Sequence, residues 1–197
     1  MTTGLEDNPQ QTTDEIDQRA RDVGADAQRE QEDPSPLDPR ALALAAAAAA
    51  GVYTPGGGEQ EQAAALDRCV IVTGLTEKIE KLVVHDGGTP GTGTSVEYTD
   101  AFFDADGNRV ATVQGSSIVL TMTPHMWQYH QSRAQLDDGV FEAQGVLDCT
   151  AMLRGGTQLF RLTGTEGRYA GKVGFMTLAI EDPTQKPPHY ATSFVLC

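Results

Sequence analysis

From about Ala65 to Cys197 the chain reads as a succession of alternating runs, and no helical period of useful length interrupts them. Eight strand-like runs stand out: Asp67–Val72, Ile79–His85, Ser95–Asp104, Arg109–Met122, Trp127–Gln135, Val140–Met152, Thr157–Leu162 with Phe175–Glu181 as its partner, and Tyr190–Leu196. The first two also read as one bent strand. The connections carry turn chemistry: Asp86-Gly87-Gly88, Asp106-Gly107-Asn108, Asp137-Asp138-Gly139 and Gly155-Gly156. An antiparallel meander leaves reactive edges unless it closes on itself. The expectation is an all-β fold, an eight-stranded antiparallel β-barrel. Its interior is either filled or holds one small ligand.

One connection is unusual. Gly164-Thr165-Glu166-Gly167-Arg168-Tyr169-Ala170-Gly171-Lys172-Val173-Gly174 places four glycines between the runs Gln158–Leu162 and Phe175–Ile180. Glycine tolerates positive φ and close backbone approach. The segment reads as a tight corner between two strands, braced by Arg168 and Tyr169. It lacks the strand-to-helix switch and the GK[ST] of a phosphate loop.

The first part of the chain differs in kind. Residues 1–65 hold 13 acidic and 4 basic residues, and the whole chain carries a net charge of −14. Such an acidic surface repels nucleic-acid backbones and anionic membranes. Residues 1–36 have few large apolar side chains with which to offset ordering entropy. A thin helix is expected over Thr13–Ala27. A firmer one runs from Asp38 to Gly51, with Asp38 as cap, Pro39 in the first turn, alanines inside and Gly51 closing it. The organisation expected is a polar, partly helical arm over residues 1–64, and a barrel domain over residues 65–197. Residues 1–51 can act as a lid over the barrel mouth.

The odd set Cys69, Cys149 and Cys197, without CxxC spacing, argues against a disulfide framework and fits a reduced cytoplasm. No basic segment followed by an apolar stretch marks a signal peptide, and the apolar run Ala41–Ala50 is too short to span a bilayer. The histidines at 85, 125, 130 and 189 lack metal-site spacing, and no GxSxG elbow is present. No metal or cofactor is expected.

Several segments carry a resemblance: Tyr98-Thr99-Asp100-Ala101-Phe102-Phe103-Asp104-Ala105-Asp106-Gly107, Val113-Gln114-Gly115-Ser116, Trp127-Gln128-Tyr129-His130, Asp138-Gly139-Val140, Ala143-Gln144-Gly145 and the Gly164–Gly174 element. In this order they resemble the allene oxide cyclase and dirigent-like β-barrel superfamily. Within it they are similar to actinomycete spirotetronate cyclases, which catalyse intramolecular [4+2] cycloadditions on polyketides. The resemblance covers about Ala65–Cys197. It implies a hydrophobic linear polyketide as the partner molecule and a spirotetronate or spirotetramate as product. It implies Gln114 as the catalytic hydrogen-bond donor. It implies Tyr98, His130, Phe160, Leu178 and Ile180 as substrate-binding residues, and Asp100, Phe102, Thr112, Ser116 and Met176 join them as candidates on the same strands as Tyr98, Gln114 and Leu178. Leu178 and Ile180 stand where the family can carry Trp and Met.

The residues suit that chemistry. A concerted cycloaddition needs no metal and no covalent intermediate. It needs a folded substrate, excluded water and one hydrogen bond to a conjugated carbonyl. Thr112, Gln114, Ser116 and Ile118 share one strand face, half polar, as a cavity wall would be. Asp100, on the face of Tyr98 and Phe102, requires a partner or a raised pKa, and a rim arginine can supply the partner. Trp127 and Tyr129 oppose Gln128 and His130, so they pack outside and can supply an interface for a homodimer. Cys149 reads as a small interior hydrophobe. Two other functions stay open. One is an allene oxide cyclase-like isomerase or a hetero-[4+2] cyclase. The other is a barrel that binds a hydrophobic ligand without turnover.

Overall fold

The computed structural model describes residues 37–197 apart from residue 88. The helix expected over Thr13–Ala27 lies outside the described residues. The chain runs α1 (Pro39–Ala49), α2 (Glu59–Leu66), β1 (Val70–His85), β2 (Ser95–Phe103), β3 (Arg109–Thr121), β4 (Trp127–Leu136), β5 (Gly139–Asp148), α3 (Cys149–Met152), β6 (Gln158–Gly167), β7 (Val173–Ile180) and β8 (His189–Leu196). The eight strands form a closed antiparallel barrel in sequence order, with β8 returning to β1.

The two runs at its start are one strand. β1 pairs with β8 from Val70 to Lys78 and with β2 from Thr76 to His85. Its register slips between Val72 and Leu75 on one side and between Ile79 and Lys81 on the other. Such bulges sharpen twist and bend, which lets one long strand serve both neighbours. The run expected to continue to Met152 stops at Asp148, whose Oδ1 accepts the Ala151 N–H at 2.9 Å and caps the single turn α3.

One end of the barrel is sealed by aromatic packing. Phe141 and Phe194 lie 4.9 Å apart between ring centroids, and Tyr169 stands edge-on to both. Tyr169 is buried although it belongs to the β6–β7 connection. Its hydroxyl donates to Asp138 Oδ1 at 2.8 Å, while Arg168 donates to Asp138 Oδ2 at 3.1 Å. Burial of Asp138 works against its charge, but these two donors outweigh that and hold its carboxyl below the usual range. The corner closes only because Gly164 has no side chain: a Cβ there would sit 1.8 Å from the Tyr169 carbonyl oxygen.

Helix α1 is as expected at both ends. Asp38 accepts the Arg40 N–H at 2.9 Å, Pro39 opens the helix, and Gly51 follows it at φ +71°. Its small buried face, Ala43, Ala46 and Ala47 with Leu42, packs on the outer wall against Val195 and Phe175. The described part of the segment expected as a lid is therefore on the side of the barrel. The corresponding cysteine expectation is corrected here. Cys69 and Cys197 form a disulfide across 128 residues of sequence. Spacing did not reveal it, because barrel closure pairs Val70 with Leu196 and thereby brings their flanking residues together.

Two stability outcomes follow. Reducing the Cys69–Cys197 bridge, or replacing Cys69 by Ser, is expected to lower unfolding free energy by about 2–4 kcal/mol, read from urea melts with and without reductant. Gly164→Ala should prevent cooperative folding or lower Tm severely, whereas Tyr169→Phe should fold and lose about 1–2 kcal/mol with its hydrogen bond to a charged acceptor.

Candidate active site in the barrel interior

The other end of the barrel is open, and a cavity of about 330 Å³ extends from it into the interior. Its polar wall comes from Glu77 of β1, Tyr98 and Asp100 of β2, Gln128, His130 and Ser132 of β4, and Tyr190 of β8, with Ile79 of β1 beside them. Its apolar wall comes from Leu147 of β5, Phe160 of β6, and Met176, Leu178 and Ile180 of β7. Met126, Cys149, Met152 and Leu153 form the rim above β4 and β5. The rim is tied down by His125 Nδ1 against Asp148 Oδ2 at 2.5 Å and by the Met126 N–H to Thr150 Oγ1 at 2.9 Å.

The structure brings together seven of the expected site residues: Tyr98, Asp100, His130, Phe160, Met176, Leu178 and Ile180 all line this cavity. Four others lie elsewhere. Phe102 points inward but is fully buried in the core. Thr112, Gln114 and Ser116 do share a face, and it is the outer one. Gln114 is exposed, Thr112 accepts a hydrogen bond from Arg109, and Ser116 accepts one from Gln131. The half-polar character of that face reflects solvent. Ala111, Val113, Ser117 and Val119 are the inward, buried set on β3. Gly115 belongs to this inner set, and its missing side chain makes room for an aromatic: a Cβ there would meet the Tyr98 ring at 2.4 Å. Trp127 and Tyr129 face outward, as alternation on β4 requires.

Asp100 has a partner, but it is not an arginine. Its carboxyl is hydrogen-bonded to that of Glu77, which in turn accepts from Thr192 Oγ1 at 3.2 Å. Both are buried. Burial pushes Glu77 well above the carboxylate range, with the Asp100 charge adding to it, and burial lifts Asp100 to about 6. Asp100 Oδ1 is buried with no hydrogen-bond partner among the described residues. Glu77, Gln128 and Tyr190 were not anticipated. Glu77 was hidden because it lies between the runs Asp67–Val72 and Ile79–His85, although alternation puts it on one face with Leu75 and Ile79.

The remaining polar groups are neutral at neutral pH. Burial lowers His130 to about 4, and its Nε2 lies 2.9 Å from Gln128 Oε1, an acceptor that places the ring hydrogen on Nε2. Burial, with the Glu77 and Asp100 charges, raises Tyr98 and brings Tyr190 to about 12. Burial raises the Cys149 thiol to about 11, so it is protonated and a poor nucleophile. Among the described residues, no Lys or Arg lines the cavity. The site is an apolar chamber with uncharged hydrogen-bond donors and one carboxyl pair.

Residues 73–196 match the family model of the allene oxide cyclase barrel like domain. The chain belongs to this family. Among solved structures it is similar to a nonspecific heme-binding cyclase that catalyses [4 + 2] cycloaddition during neoabyssomicin biosynthesis, at 27% identity and a TM-score of 0.59, covering 68% of this chain and 67% of that one. It is likewise similar to the Diels Alderase AbmU from Streptomyces koyangensis, at 26% identity and a TM-score of 0.59, covering 66% of this chain and 64% of that one. AbnU, an exo-specific intermolecular Diels-Alderase, shares the fold at 21% identity and a TM-score of 0.56, over 64% of this chain and 96% of that one. The chain thus spans about two thirds of the length of the first two. No helix among the described residues of this chain is long and apolar enough to cross a membrane.

The carboxyl pair has a signature in stability. A folded carboxyl whose pKa is raised favours the native state at low pH, and that contribution is lost as pH rises through the folded value. Asp100→Asn is therefore expected to raise Tm relative to the parent at pH 8 and to give little gain at pH 4, with the difference growing through about pH 6. Thermal melts of both proteins across that range measure it.

Proposed function

We propose that this chain is a cyclase that carries out an intramolecular [4+2] cycloaddition on a linear polyketide, with its own side chains and no cofactor, forming a spirotetronate or spirotetramate ring. The observation that carries the reading is the open-ended, largely apolar cavity with uncharged hydrogen-bond donors on one wall. Its similarity to [4+2] cyclases adds support. The walls from β6 and β7 hold an extended apolar chain in a folded form. Tyr98, Tyr190 and His130 offer neutral donors to a conjugated carbonyl. A neutral donor in a dry site lowers the energy of the dienophile without the cost of desolvating a charge. The ordering of diene and alkene inside the chamber converts a rare conformer into the bound one, an effect worth up to ~7–11 kcal/mol in favourable cases.

The purified protein should accelerate cyclisation of a linear acyl-tetronate or acyl-tetramate carrying a diene and an exocyclic alkene, and should give one stereoisomer. A rate and isomer ratio equal to those of the buffer control would reject the reading. On such a substrate Phe160→Ala and Tyr98→Ala should each lower kcat/KM about tenfold or more, corresponding to ~1.4 kcal/mol or more of transition-state stabilisation. Gln114→Ala should leave it within about twofold, since that side chain is on the outer wall.

A further inference from the structure

A cycloaddition moves no proton, yet the cavity contains a proton-sharing pair that has no part in it. Glu77 and Asp100 lie on adjacent strands and face inward. Their Cα partners across the β1–β2 ladder are Phe102 and Ile79 respectively. Two carboxyls hydrogen-bonded to each other require a proton between them. Asp100 and Glu77 both line the cavity, on adjoining strands of the same wall. On the opposite side of β1, Tyr190 is the direct cross-strand partner of Glu77 and also lines the cavity. A carboxylate, its carboxyl partner and a neutral phenol thus share one patch of cavity wall.

We propose that this patch gives the barrel a second activity, the prototropic isomerisation of a β,γ-unsaturated ketone to its conjugated isomer, with Asp100 as the base and Tyr190 as the donor to the carbonyl oxygen. The Asp100 carboxylate takes a proton from the carbon between the carbonyl and the alkene. The C–H electron pair becomes a new C=C bond, and the carbonyl π pair moves onto oxygen, where the Tyr190 hydroxyl donates a hydrogen bond to it. The enolate then collapses, the π electrons shift along the chain, and the γ carbon takes the proton back from Asp100. One C–H bond breaks and another forms, the pair returns to its starting protonation, and no co-reactant is consumed. Glu77 is a positioning residue whose shared proton holds the Asp100 carboxyl in place. The product is a conjugated carbonyl, the class of compound a [4+2] reaction draws on. The inference uses the same cavity as the cyclase reading but does not depend on it.

The test uses 4-nonen-2-one as probe and follows the ultraviolet absorbance of the conjugated product. The parent protein should give a saturable rate at least about tenfold above buffer, Asp100→Asn about a hundredfold less than the parent, and Tyr190→Phe about tenfold less. Equal rates for parent and Asp100→Asn would overturn the proposal. Circular dichroism establishes that each variant is folded. If Asp100→Asn does not fold, the parent's pH profile decides. Its rate should rise with unit slope through about pH 6 as Asp100 ionises, and a flat profile would overturn it. The groups facing Asp100 are Glu77 and Glu80 of β1, Tyr98 of β2 and Tyr190 of β8, with Cys149 and His130 on the other walls. His130 titrates lower, at about 4, and the tyrosines and Cys149 well above. Parent protein that isomerises the probe but fails to cyclise linear substrates would sink the cyclase reading and leave this one standing.

Discussion

The whole molecule depends on one strand having two partners. β1 must complete its ladder with β8 to close the barrel while still pairing with β2, and sixteen residues achieve both only by bending twice. Closure removes the unpaired edges that a meander would expose. It also determines what points inward. Each bulge advances the side-chain alternation by one residue, so Val70 and Val72 before the first, Leu75, Glu77 and Ile79 between the two, and Leu82 after the second all line the core or the cavity. A straight β1 would have put Leu75, Glu77 and Ile79 on the face opposite Val70, Val72 and Leu82.

The two ends of the barrel do opposite work with the same backbone. At the β6–β7 end, Tyr169 folds back under the sheet and packs with Phe141 and Phe194, so that end is solid. At the other end the walls stand apart around a cavity lined by side chains such as Tyr98, Phe160, Met176 and Tyr190. Glycine assists at both, in different ways. Gly164 lets backbone approach backbone, whereas Gly115 lets an aromatic ring lie flat against the strand beside it.

Much of this was legible in the sequence. Alternation and turn chemistry gave the barrel and most of its strand limits, and the Asp38-Pro39 start and Gly51 stop framed α1. The brace formed by Arg168 and Tyr169 was anticipated as well, though not that its anchor is Asp138. What the residues could not reveal was which of two faces is inside. The face shared by Thr112, Gln114 and Ser116 looked like a cavity wall because polar residues line both cavities and solvent-facing sheets. Parity groups residues correctly but does not assign a direction, and only packing across the barrel does. Glu77 was missed because it lies between the runs Asp67–Val72 and Ile79–His85 and belongs to neither. The bond between Cys69 and Cys197 follows from closure, which is a property of the whole ladder and not of any local window.

That bond has a topological consequence. Together with the polypeptide between them, Cys69 and Cys197 make the barrel a covalent ring, with the eight strands threaded on it in order. A break in any single connection between β1 and β8 would turn the ring into an open chain with new ends, but would not release a fragment. Cleavage in the stretch from residue 86 to residue 94 would yield two polypeptides on a reducing gel and one particle in solution. The barrel is in this sense circularised between Cys69 and Cys197.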